Sequence, residues 1–126
     1  MPSSPFPSKL SLHDYDAAAR ATAIFSDNVR LLYEDGRVCA LYPFFGLSGE
    51  VGELMEKLKK IIRDNEGIIT EKARLAMCNE LGDFLWYVSA CANELNSNLE
   101  RIAALNLHKL EDRARRNKLQ GSGDDR

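Results

Sequence analysis

The chain is expected to be all-α, folded as a bundle of four to five helices. Three observations predict this. Apolar residues recur at spacings of three and four in successive stretches of the 126-residue sequence. Three of the stretches open on a serine or threonine placed to cap a helix. Gly, Pro and Asn clusters separate the stretches.

The length suits one domain, and 44% hydrophobic content is enough for a core. Residues 1–10 hold Pro2, Pro5 and Pro7 among serines and read as a flexible lead. Residues 11–120 form the helical domain, and residues 121–126 form a Gly/Ser/Asp tail. The first helix opens on a Ser11 to Asp14 capping box. Its face of Leu12, Tyr15, Ala19, Thr22 and Phe25 extends the expectation from about Leu12 to Leu32. Tyr33 to Pro43 reads as a connection, because Asp35-Gly36 is a turn signal and Pro43 disfavours helix at Tyr42.

A second helix is predicted from near Phe44 or Phe45 to about Asp64, on the stripe Leu47, Val51, Leu54, Leu58, Ile61 and Ile62. Gly67 is placed to close it. Thr70 then caps a third helix running to about Glu94, whose stripe is Cys78, Leu81, Leu85, Val88, Ala92 and Leu95. A second capping box, Ser97 to Glu100, starts a fourth helix reaching about Lys118.

Charge and cysteine usage exclude several classes. A formal net charge of -2 disfavours a nucleic-acid binder. No stretch reaches the roughly 20 apolar residues of a membrane span, and no signal peptide is visible. The three cysteines, Cys39, Cys78 and Cys91, form no CxxC and read as packing residues of a reducing, cytoplasmic location. His13 and His108 are isolated and receive no role.

Two carboxylate pairs stand out. Glu50 and Glu53 lie three apart in Gly46-Leu47-Ser48-Gly49-Glu50-Val51-Gly52-Glu53, and Glu80 and Asp83 repeat the spacing. Residues three apart are neighbours on a helix. At about 100° per residue both pairs border the apolar stripe, while Glu56 falls on the far side. Two readings stand. The carboxylates are a solvated face paired with Lys57 and Lys60, or they converge on a hard divalent cation that prefers oxygen ligands. Gly49, Gly52 and Gly82 beside them suggest close approach of helices or of a ligand, since glycine inside a helix costs about 1 kcal/mol relative to alanine. Tyr87 shares the flank of Glu80 and Asp83 and is placed to touch a ligand. On the fourth helix, Lys109, Arg113 and Arg116 form a cationic edge. This is either a solvated helix end or a phosphate-binding edge, and Arg113 within the apolar stripe favours phosphate.

These residues resemble the MazG-like group of all-α nucleoside triphosphate pyrophosphohydrolases, in its small single-domain form. The matching pieces are Gly46 to Glu53, Glu80-Leu81-Gly82-Asp83-Phe84-Leu85-Trp86-Tyr87, and Asn106-Leu107-His108-Lys109-Leu110-Glu111-Asp112-Arg113. Gly121-Ser122-Gly123-Asp124 with Arg126 is similar to the tail of such members. The resemblance implies a helical bundle completed by assembly into homodimers or homotetramers. It implies hydrolysis of (d)NTP between the α and β phosphates to (d)NMP and pyrophosphate, in nucleotide-pool house-cleaning. It also implies Mg2+, with Mn2+ as a substitute, held by Glu50, Glu53, Glu80 and Asp83. Lys109, Arg113, Arg116, Tyr87 and Asn106 would contact substrate. Many relatives have a further glutamate before the first ligand, where this chain has Gly49; which group activates water is left open. Alternatives are a dUTPase-like or phosphoribosyl-ATP pyrophosphohydrolase relative, and a non-catalytic helical oligomerisation module.

Overall fold

The fold is taken from a computed structural model, which describes residues 8–125. Four helices and one short hairpin follow in the order α1 (Leu12–Arg20), β1 (Arg30–Leu32), β2 (Val38–Ala40), α2 (Tyr42–Asn65), α3 (Glu71–Glu94) and α4 (Leu99–Arg115). The all-α expectation holds. Most of the lead, residues 1–7, and Arg126 lie outside the described residues.

The Ser11 capping box forms: Ser11 Oγ accepts from the Asp14 amide at 3.0 Å, and the Asp14 carboxylate accepts from the Ser11 amide. The first helix is shorter than predicted, ending at Arg20 rather than Leu32. Thr22 Oγ1 donates to the Ala19 carbonyl at 2.7 Å, and the Asn28 amide donates to Ser26 Oγ at 3.1 Å. Such local side-chain bonds offer the backbone an alternative to the helical ladder.

The rest of the predicted helix and connection becomes an antiparallel hairpin, with Arg30 opposite Ala40 and Leu32 opposite Val38. Asp35-Gly36 is its turn, with Gly36 at φ 85°. The end of α3 holds it in place. Tyr33 donates its hydroxyl proton to the Glu94 carbonyl at 2.6 Å, and the Ala40 amide donates to Glu94 Oε2 at 2.7 Å.

Helix α2 starts slightly earlier than predicted, with Pro43 in its first turn, where a missing N–H is tolerated. It closes through Glu66 and Gly67, both left-handed, and the Gly67 amide bonds the Ile61 carbonyl at 3.1 Å. Thr70 caps α3 by accepting from the Ala73 amide. A short loop joins α2 to α3, and the two helices form the most extensive packing contact of the chain. The cap of α4 is Asn98, which accepts from the Arg101 amide at 2.9 Å, instead of Ser97. The Ser97 amide is spent on closing α3 at the Ala92 carbonyl.

The core is built from small residues. Ser89, Ala90, Cys91 and Ala92 of α3 are buried, as are Ala19 of α1 and Leu99 of α4. At their centre sits buried Asp16. Its carboxylate accepts from the Ser89 hydroxyl and, at 2.7 Å, from the Leu99 amide at the first turn of α4. A carboxylate there satisfies an open donor and complements the helix dipole. One residue of α1 thus ties α3 and α4 together.

The predicted stripes are buried only in part. Leu47, Leu54, Leu58 and Ile61 are half-buried, but Val51 and Ile62 are exposed. On α3, Ala92 is buried while Cys78, Leu81, Leu85 and Leu95 are exposed, so Cys78 is not a packing residue within the chain. The reason is positional. The C-terminal half of α3 meets α1, α4 and the hairpin, whereas the N-terminal half has α2 alongside. Val51, Met55 and Ile62 of α2 and Leu75, Leu81 and Leu85 of α3 are left as open apolar surface. Among the described residues, no helix is long and apolar enough to cross a membrane.

Candidate active site

The antiparallel α2–α3 pair brings Glu50, Glu80 and Asp83 together. Each offers an oxygen, and these three oxygens lie within 4.8 Å of one another. Glu50 and Glu80 are half-buried and Asp83 is exposed. Burial pushes the Glu50 carboxyl above its usual range, and the charges of Asp83, Glu80 and Glu53 push it further. Glu53 stands one turn along α2, exposed and outside the tight cluster, but near enough to act on Glu50 through its charge. The spacing argument therefore places three of the four carboxylates in one cluster and the fourth at its rim.

Lys57 completes this edge. Its Nζ lies 3.0 Å from Glu80 Oε1, across the helix interface. The solvated reading anticipated a lysine partner for Glu50 and Glu53; the structure gives the lysine to Glu80. Its position two helical turns beyond Glu50 was the available signal.

Tyr87, one turn beyond Asp83, lies over Gly46. A β-carbon at Gly46 would overlap the Tyr87 ring, so the ring fits only because residue 46 has no side chain. Burial raises the Tyr87 hydroxyl pKa, with contributions from Tyr42, Glu50 and Asp83. Trp86 packs edge-on against Tyr87, with centroids 5.0 Å apart. Its indole N–H donates to Thr22 Oγ1 at 2.7 Å. Thr22, Glu50, Asp83, Trp86 and Tyr87 line an open pocket of about 330 Å³. Thr22 and Trp86 escaped sequence reasoning: Thr22 counted as a helix-face residue, and tryptophan is more often core. Gly49, Gly52 and Gly82 differ from the expectation of close helix approach, since a β-carbon at each would meet open space within this chain.

The cationic edge of α4 is engaged elsewhere. Lys109 Nζ and Arg113 Nη2 lie 3.7 and 3.6 Å from Asp124 Oδ1 in the tail. Arg113 is buried, donates to the Asp124 carbonyl at 2.9 Å, and among the described residues its Nε has no partner. Arg116 pairs with Asp112 at 2.7 Å. Asn106 is exposed on the same helix. The single chain thus joins Lys109 and Arg113 to its own tail, where an anionic residue occupies them.

Chemically, three hard oxygen donors with one lysine and two aromatic rings suit a divalent cation and an organic anion. The sequence profile described as the MazG nucleotide pyrophosphohydrolase domain matches residues 44–117, more than half of the chain. The Gene 37 protein of Mycobacterium phage L5 is 47% identical over 85 residues, covering 68% of this chain and 75% of that protein. No solved structure matches the chain.

Proposed function

Because the chain belongs to the MazG nucleotide pyrophosphohydrolase family, we propose that it hydrolyses nucleoside triphosphates between the α and β phosphates, releasing a monophosphate and pyrophosphate in a magnesium-dependent reaction. The observation that carries this reading is the convergence of Glu50, Glu80 and Asp83 within 4.8 Å. The donor set fits the ion: oxygen only and anionic, with the Glu50 carboxyl pushed up by burial and then by its acidic neighbours. Glu50, Glu80 and Asp83 would hold Mg2+ or Mn2+, with Glu53 joining from the rim. When bound, such an ion would supply charge neutralisation for phosphate oxygens and a more nucleophilic water.

The remaining residues have roles of their own. Trp86 and Tyr87 offer an aromatic wall to the nucleoside, held by the Thr22 hydrogen bond and the Gly46 cradle. Lys109 and Arg113 neutralise the phosphate tail once it takes the place of the Asp124 carboxylate. Arg116 and Asn106 extend that edge. The open apolar faces of α2 and α3 are suited to a second copy of the chain, in a homodimer or homotetramer that completes the bundle. Substrate choice among (d)NTPs, a house-cleaning role and a cytoplasmic location belong to the same reading. Gly49 in place of a further glutamate argues mildly against a dUTPase-like activity.

A non-catalytic oligomerisation module is favoured by one observation, the same exposed apolar faces. Asp83→Asn separates the two. The reading expects pyrophosphate release with Mg2+ to be abolished while the helical circular dichroism persists. Normal turnover by the variant contradicts it.

A further inference from the structure

Lys57 differs from most ion-paired residues of the chain: Lys109 and Arg113 reach Asp124 in the tail, and the others pair locally. Arg37, Lys59, Arg63, Arg74 and Arg116 each pair with a carboxylate at most four residues away. Lys57 instead reaches from α2 to Glu80 on α3, with its Nζ 3.0 Å from Oε1. The side chains are 35% and 13% exposed, so solvent screens this pair less than those. Lys57 also lines an open groove of about 490 Å³, where Lys60, Lys72 and Asp64 stand among Ile61, Ile68, Ala73 and Ala76. Lys57 therefore touches a carboxylate of the cluster and also a groove in which three lysines outnumber the one carboxylate, Asp64.

We propose that Lys57 is a positioning residue: a tethered cation that holds the Glu80 carboxylate within the cluster until a divalent cation claims it, and then turns to the anionic end of the substrate along the Lys60 and Lys72 groove. The inference rests on reading Glu50, Glu80 and Asp83 as metal ligands. Its physical basis is charge. An ammonium 3.0 Å from a ligand oxygen competes with a second cation for that oxygen. The same ammonium favours a ligand that brings its own negative charge. A static packing bridge would show neither effect.

The test is Mn2+ binding followed by electron paramagnetic resonance of the free ion, with and without a non-hydrolysable α,β-methylene triphosphate, on the wild type, Lys57→Met, Lys57→Arg and Glu80→Gln. Lys57→Met is expected to bind Mn2+ alone roughly tenfold more tightly and the Mn2+–triphosphate complex roughly tenfold more weakly. Lys57→Arg is expected to restore both values. Unchanged Mn2+ affinity, or unchanged affinity for the complex, in a folded Lys57→Met protein overturns the proposal; should that variant fail to fold, Lys57→Arg losing the complex overturns it instead. Glu80→Gln keeps the two readings distinct. If it binds Mn2+ like the wild type, the metal reading itself falls; if it loses Mn2+ while Lys57→Met is silent, only the role of Lys57 falls.

Discussion

Replacing Glu50 by glutamine should stabilise the metal-free protein and abolish its response to magnesium. Glu50 shares a site with Glu80 and Asp83, their oxygens within 4.8 Å. Two unit charges at 4.8 Å repel by about 1 kcal/mol in water and about 3.5 kcal/mol at an effective dielectric constant of ~20. Lys57 offsets the charge of Glu80, and Asp83 is exposed, so the lower part of that range applies. Removing the Glu50 charge should then stabilise by about 1–2 kcal/mol, which for a domain of this size raises Tm by roughly 3–6 °C. Glutamine can still hydrogen-bond Glu80, so the gain isolates charge. The assay is thermal melting followed by circular dichroism, in chelator and in excess Mg2+. The wild type should gain with Mg2+, by about 2.7 kcal/mol at one hundred times the dissociation constant, and Glu50→Gln should not. A variant that melts lower in chelator, or that keeps the Mg2+ shift, refutes the reasoning.

The same pair of proteins carries a pH signature. The folded Glu50 carboxyl holds its proton to higher pH than the unfolded chain, so its contribution is present below the usual value of 4.5 and is lost as pH rises through the raised value. In chelator, the advantage of Glu50→Gln should open as pH rises from 4.5; an advantage independent of pH contradicts this. Exposed carboxylates such as Asp35 and Asp64 are lowered by arginine partners and act in the opposite direction, which is why the difference between the two proteins, rather than either melt alone, is informative. Asp16→Ala should cost about 2–4 kcal/mol, because it leaves the Leu99 amide and the Ser89 hydroxyl buried without their acceptor; urea unfolding checks it, and a loss under about 0.5 kcal/mol would remove Asp16 from its central place. Gly46→Ala should displace the Tyr87 ring, seen as a change in near-ultraviolet circular dichroism and a KM raised more than kcat is lowered; an unchanged spectrum with normal KM denies the cradle.

The legible parts of the fold were those encoded locally. Ser11 and Asp14 announce their helix because the capping box closes within four residues, and Thr70 does the same for α3. The limits of α2 and α3 follow from Pro43, Gly67 and Thr70. The hairpin was not legible, because its anchor is Glu94, far along the chain and itself an ordinary helix-end glutamate. The overlong first helix has a related cause: Thr22 and Ser26 compete for backbone bonds through side chains that a periodicity count treats as neutral.

At the site, spacing was enough to bring Glu50, Glu80 and Asp83 to one edge, since the i, i+3 rule needs only helices and a short loop. It could not show that Glu53 stands at the rim, which depends on how α2 is rotated against α3. Asp16 was hidden because it lies outside the apolar face read for its helix, and only the tertiary fold buries it. The cationic edge was legible as a row, but not its partner, because Asp124 returns to α4 through a tail without periodic pattern.

The central claim is that this site splits a triphosphate between its α and β phosphorus atoms. Incubating the protein with a panel of nucleoside triphosphates and Mg2+, and following the products by phosphorus NMR, tests it most directly. The account predicts equal amounts of a nucleoside monophosphate and pyrophosphate, with no signal for a nucleoside diphosphate or for phosphate at early times, and no products in chelator. Release of a diphosphate and phosphate, or no turnover of any triphosphate in the panel with Mg2+, would contradict it.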